Sequence, residues 1–105
     1  MIDDLTPEEF KNYLVENDVD LIDVREKWEI DICKITGAIN TPMSQIAETF
    51  IEINPDHNLA IYCHHGMRSM QVANFLLSKG FKSIVNLQGG IDAWSREIDT
   101  SLERY

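Results

Sequence analysis

One heptapeptide concentrates groups able to do chemistry: Cys63-His64-His65-Gly66-Met67-Arg68-Ser69. A thiol is a strong nucleophile only as its thiolate, and an unperturbed cysteine has a pKa of about 8.5. The neighbours of Cys63 all bear on that equilibrium. Gly66 permits a backbone conformation or a close approach that a side chain forbids. Arg68 brings a fixed charge with several donors, suited to an anion. Ser69 offers a hydroxyl, and His64 and His65 either carry partial positive charge near neutral pH or face solvent. An isolated cysteine at the end of an apolar run reads as a small packing residue. With glycine, arginine and serine at these spacings, Cys63 reads instead as a nucleophile that works beside an anion.

These groups need elements to hold them. Leu59-Ala60-Ile61-Tyr62 runs straight into Cys63, and such near-continuous apolar character marks strands buried on both faces. Val19 to Val24, broken only by Asp20 and Asp23, and Ser83 to Leu87 are two further runs of this kind. Between Leu59–Tyr62 and Ser83–Leu87, the pattern predicts a helix from about Met67 to Lys79, with Met70, Ala73 and Leu77 on one stripe. Gly80 and Phe81 supply its stop. Thr6-Pro7-Glu8-Glu9 reads as a helix start, with Thr6 as N-cap and Glu9 returning to it. Phe10 and Leu14 follow on one face, and Asn17-Asp18 ends the helix. Strands alternating with helices predict βαβ units and a mainly parallel sheet. In such sheets ligands bind beyond the carboxyl ends of the strands, where Cys63 falls. Amides of the turn after Cys63, with the N-terminus of the next helix, form a cradle for negative charge.

Composition sets the outer bounds. The 105 residues fit one compact domain, expected over 1–105, and shares of 44% apolar and 26% charged residues are ordinary for a soluble protein. No apolar run approaches the roughly 20 residues of a membrane span. Met1-Ile2-Asp3-Asp4-Leu5 lacks the order of a signal peptide, so a cytoplasmic location is expected, with Cys33 and Cys63 reduced. A net charge of −9 argues against nucleic acid and anionic membranes as partners. It also obliges any site for an anion to find local positive potential, for which His64, His65 and Arg68 are the candidates. A monomer without cofactor is expected.

The chain resembles the rhodanese family over nearly its whole length, on four stretches in the family's order. Leu21-Ile22-Asp23-Val24-Arg25-Glu26 is similar to the first signature, and Ile35-Thr36-Gly37-Ala38-Ile39-Asn40-Thr41-Pro42 to the second. Cys63 to Ser69 matches the active-site loop of single-domain members. Asn86-Leu87-Gln88-Gly89-Gly90-Ile91-Asp92-Ala93-Trp94 matches the last strand and the following helix start. The resemblance implies a three-layer α/β domain whose central, mainly parallel sheet has about five strands with helices on both faces. It implies a sulfurtransferase of the thiosulfate type: a donor passes sulfane sulfur to Cys63, and cyanide, a thiol or a protein removes it. That is two-step covalent catalysis with ping-pong kinetics. The donor is expected to be a small anion, with thiosulfate, 3-mercaptopyruvate, glutathione persulfide and a protein persulfide all open. His64 to Ser69 would cradle the persulfide, with Arg68 holding the loop or the donor's anion. Four residues separate Cys63 from Arg68, whereas phosphatases of this fold resemble Cys-x5-Arg, so the shorter loop argues for sulfur over phosphate. The alternative is a binding or sulfur-relay module that turns over few small donors.

Other residues have plainer readings. Cys33-Lys34 stands where the family has Gly-His, and Cys33 is either a resolving thiol or a structural one. Asp23 and Arg25 form either a network reaching the loop or an exposed ion pair. His57 is expected at the surface, and Trp28 and Trp94 as packing anchors. No second ligand cluster with zinc spacing accompanies Cys63 and its histidines, so no metal is expected. The segment from Trp94 to Tyr105 is similar to the end of sulfurtransferase domains attached to activating enzymes of ubiquitin-like sulfur carriers.

Overall fold

The computed structural model describes residues 2–105. Five strands form one sheet: β1 (Ile2–Leu5), β2 (Val19–Asp23), β3 (Ile39–Asn40), β4 (Asn58–Tyr62) and β5 (Ile84–Leu87). Their order is β1-β5-β4-β2-β3, and every pairing is parallel. The helices are α1 (Pro7–Glu16), α2 (Lys27–Ile32), α3 (Ile46–Thr49), α4 (Met67–Ser78) and α5 (Gly90–Glu97). Among the described residues no helix is long and apolar enough to cross a membrane.

Alternation along the central strands sorts the core into two layers. Ile22, Leu59, Ile61 and Ile84 face one side, under Ile46 of α3 and Val72, Ala73 and Leu76 of α4. Leu21, Ala60, Tyr62, Val85 and Leu87 face the other, under Phe10 of α1 and Ile91 and Trp94 of α5. Period-2 alternation between two buried faces explains why these strands read as unbroken apolar runs. The capping box at Thr6 and Glu9 forms as expected. On α4 the buried stripe is Ser69, Val72, Ala73 and Leu76, while Met70 and Leu77 are only partly buried. The predicted stripe was thus rotated by about one position, because Ser69 is drawn inward to the cysteine.

The order of the strands places the site. From β2 the chain moves outward to β3 at one edge, and from β4 it moves the other way, to β5. The carboxyl ends of adjacent β2 and β4 therefore flank a topological switch point, where loops diverge and leave a crevice. Asp23 pairs in register with Tyr62, so Val24 and Cys63 leave the sheet side by side, with Arg25 one residue further on.

Candidate active site

Cys63 is 1% exposed, and its side chain joins the α4 layer of the core directly beneath the helix start. The Gly66 N–H donates to Sγ at 3.1 Å and the Ser69 hydroxyl at 3.3 Å. Gly66 caps α4 in the left-handed region at φ 102°, which turns its amide back toward the sulfur. The first amides of α4 have no partner within the helix, so positive potential gathers at the same point.

The carbonyls of the loop are held from behind. Ile91 N–H donates to the Cys63 carbonyl at 2.9 Å and Asp92 N–H to the His64 carbonyl at 3.1 Å. With these oxygens bound to the start of α5, the Gly66 amide is the loop amide that meets the sulfur. Gly90 makes this approach possible: a Cβ there would overlap the His64 carbonyl. Asn86 at the end of β5 adds a bond from Nδ2 to the Gly66 carbonyl at 3.3 Å. This is the physical content of the Asn86–Trp94 stretch.

Arg68 is committed elsewhere than to an open anion site. Its guanidinium closes on Glu29 of α2 with two bonds of 2.8 Å each. It therefore fixes the loop, and orienting a donor's anion would require breaking a bidentate pair. Burial would raise the Glu29 carboxyl, but the bonds from Arg68 and the Glu26 backbone outweigh it and hold the group at about 2.

Asp23 and Arg25 are buried, at 1% and 0% exposure, so the exposed ion pair is excluded. Arg25 Nη2 meets Asp23 Oδ2 at 2.8 Å and the Cys33 carbonyl at 2.7 Å. Its Nη1 meets the Tyr105 hydroxyl at 2.9 Å, and that hydroxyl donates to Glu29 Oε1 at 2.8 Å. Asp23 and Arg25 thus reach the loop through Tyr105, Glu29 and Arg68. Burial would lower the Arg25 guanidinium, yet Asp23 and Tyr105 raise it well above its ordinary value.

His64 stacks on Tyr105, with centroids 3.8 Å apart and planes 9° apart, and touches the ring of His65. Burial first, then the neighbouring His65, pushes its pKa below the usual histidine value. This shift disfavours the charged form of His64, so of the two readings given to it the positively charged one is weakened. His65 is exposed, with Nε2 3.8 Å from Asp92. His64, His65 and Asp92 bring three potential ligand atoms within 4.8 Å of one another. Asp92, however, already meets Arg96 and Arg104, and His64 is held in its stack. A small cavity of about 220 Å³, lined by Cys63, His64, His65, Met67 and Arg68, opens over the sulfur.

Cys33 lies in the layer of the core opposite Cys63, with its carbonyl on Arg25. A direct disulfide between them would have to cross the edge of the sheet. Trp94 is a packing anchor, in edge contact with Phe10. Trp28 is not one: it is 61% exposed and meets the ring of Tyr105 edge-on. His57 lies at the surface, paired with Asp20. Sequence reasoning missed Glu29, Asn86 and Tyr105 as site residues. The repeated glutamate of Glu26-x-x-Glu29, which forms a capping box on α2, was a visible signal for the first. Nothing local distinguishes Tyr105.

A strand-borne cysteine, a glycine-capped turn and a helix over it at the switch point of a five-stranded parallel sheet define a class of α/β protein. The chain belongs to the rhodanese-like domain family, whose model matches residues 6–97. It is 36% identical over 97 residues to a sulfurtransferase of Allochromatium vinosum, covering 91% of each chain. It is 41% identical over 93 residues to the rhodanese-like/PpiC domain-containing protein 12 of Arabidopsis thaliana chloroplasts, covering 85% of this chain and 31% of that one. The crystal structure of a rhodanese-like domain protein from Staphylococcus aureus superposes with a TM-score of 0.82, at 33% identity and 98% coverage of both. The chain thus spans the length of some relatives and about a third of others.

Proposed function

We propose that this chain is a sulfurtransferase that carries sulfane sulfur as a persulfide on Cys63. The observation that carries this reading is a cysteine sulfur receiving the Gly66 amide and the Ser69 hydroxyl beneath the start of α4. A thiolate gains from each donor, and so does a persulfide anion in the same cradle. With thiosulfate, the Cys63 thiolate attacks the outer sulfur, a bond forms between the two sulfurs, and the S–S bond of the donor breaks to release sulfite. A nucleophilic acceptor then attacks the outer sulfur of the persulfide; with cyanide, thiocyanate departs and the thiolate returns. Charge balances at each step, and no external redox partner is needed.

The cavity of about 220 Å³ over Cys63, lined by five residues, has room for a sulfur atom and a small leaving group. Thiosulfate is the reference donor and cyanide the reference acceptor; a thiol or a protein takes the acceptor's place in the cell, which we take to be the cytoplasm. Initial rates with thiosulfate and cyanide varied together should give parallel double-reciprocal lines, the mark of a ping-pong carrier. Intersecting lines would point to direct transfer between bound substrates and contradict a persulfide intermediate.

A second reading, sulfur relay between protein partners with little turnover of small donors, is favoured by Arg68 being closed on Glu29. No free guanidinium fork is then offered to a sulfonate. Sulfur uptake from a protein persulfide together with none from thiosulfate would select relay over the thiosulfate enzyme.

A further inference from the structure

One side chain that bridges several groups around the cysteine loop comes from outside it. The segment after α5 folds back along the α5 layer, where Ile98 and Leu102 pack against the core and Arg104 meets Asp92. This brings Tyr105 over the crevice between the ends of β2 and β4. Its hydroxyl accepts from Arg25 at 2.9 Å and donates to Glu29 at 2.8 Å. Its ring stacks on His64 at 3.8 Å, and Trp28 backs it edge-on at 5.8 Å.

We propose that Tyr105 is a positioning residue of the cysteine loop, acting through two separable contacts. Its hydroxyl links the side chains of two ion pairs, Asp23–Arg25 from the end of β2 and Glu29–Arg68 from α2 and the loop, beside a longer bond of 3.4 Å from Arg25 Nη1 to the Glu29 carbonyl. The resulting row is Asp23, Arg25, Tyr105, Glu29, Arg68, in which each donor meets an acceptor and opposite charges alternate across a neutral phenol. The row fixes Arg68, and with it the first turn of α4, relative to the sheet that carries Cys63. Its ring clamps His64, the residue next to Cys63, against the same frame. Neither contact reaches the sulfur, so Tyr105 acts on Cys63 only through the loop. Other charged and titratable groups facing the loop are His65 and Asp92, with Arg96 and Arg104 on Asp92, and Asp4 of β1 beside Asn86 and Gly66.

This inference rests on the persulfide reading for its catalytic meaning but not for its test. Tyr105→Phe removes the hydroxyl and keeps the ring; Tyr105→Leu removes both. Each variant is measured in the full chain for the pH midpoint of Cys63 alkylation by iodoacetamide, with the site read by peptide mass. The single-turnover rate of sulfur uptake from thiosulfate, per folded molecule, is measured beside it. A loosened cradle stabilises the thiolate less, so the midpoint should rise in both variants, further in Tyr105→Leu. Uptake should fall several-fold in Tyr105→Phe and about tenfold or more in Tyr105→Leu, as misplacement of reacting groups does. Variants that only melt earlier, with unchanged midpoint and rate per folded molecule, would overturn the inference while leaving the function standing. If Tyr105→Leu fails to fold, the isosteric phenylalanine variant decides alone. Wild-type protein that takes up no sulfur would instead remove the proposed function, and the alkylation midpoints would still judge Tyr105.

Discussion

Cys63 sits on a strand end where an apolar residue would be equally at home, and what separates it from a packing thiol is its set of donors. Gly66 and Ser69 both touch its sulfur, and both were legible in the sequence because their spacing from the cysteine is short. Arg68 was legible as a cation but not as a partner of Glu29, since that bond spans 39 positions and no local pattern encodes it. Its consequence is a pH signature. Glu29 is held at about 2 against an ordinary 4.5, a depressed carboxyl whose stabilising contribution is complete above the higher value and is lost as pH falls toward the lower. Glu29→Gln should therefore cost about 1–3 kcal/mol at neutral pH, by urea denaturation, because Arg68 loses its charged partner. The same variant should show a smaller loss of stability between pH 4.5 and 2 than the wild type. An equal acid loss in both would mean that other carboxyls dominate this window.

At the scale of elements, the loop depends on α5 as much as on α4. The start of α5 binds the carbonyls of Cys63 and His64, and Gly90 is the residue that lets it come close enough. Gly90→Ala should destabilise the protein by more than about 2 kcal/mol and depress Cys63 reactivity, since it combines a left-handed backbone with a steric overlap. Gly80 shares the positive φ but would place its Cβ in open space, so Gly80→Ala should cost only about 1–2 kcal/mol and leave Cys63 untouched. Equal effects of the two on Cys63 alkylation would refute the role assigned to α5. The three central strands, α1 and α4 were readable because apolar runs, a capping box and a glycine stop are local signals. The edge strands were not: β1 is the acidic run Ile2-Asp3-Asp4-Leu5, and β3 has two exposed residues, so neither carries the pattern of a buried strand. The short helices α2 and α3, of six and four residues, are too brief to show a period.

The whole molecule carries a net charge of −9, yet its proposed substrate is an anion. Arg25, Arg68, Arg96 and Arg104 all lie around the crevice, but each is paired with a carboxylate. Local attraction must then come chiefly from backbone dipoles of the loop and α4, against a repulsive overall field. Charging by thiosulfate should accordingly speed up when salt rises from about 10 mM to about 150 mM, as the screening length falls from about 30 Å to about 8 Å. A neutral sulfane donor should show no such rise, and stopped-flow rates for the two compare them directly; a fall for thiosulfate would place free positive charge at the mouth. Sequence composition announced the repulsion, but only the fold shows that the arginines nearest the site are already engaged with carboxylates, Arg96 and Arg104 sharing Asp92. The central claim, that Cys63 carries the sulfur, is tested most directly by intact mass after incubation with thiosulfate and removal of the donor. The wild-type chain should gain the mass of one sulfur atom, lose it on adding cyanide, and gain nothing as Cys63→Ser. An unchanged wild-type mass with every sulfane donor, or an adduct that survives in Cys63→Ser, would contradict it.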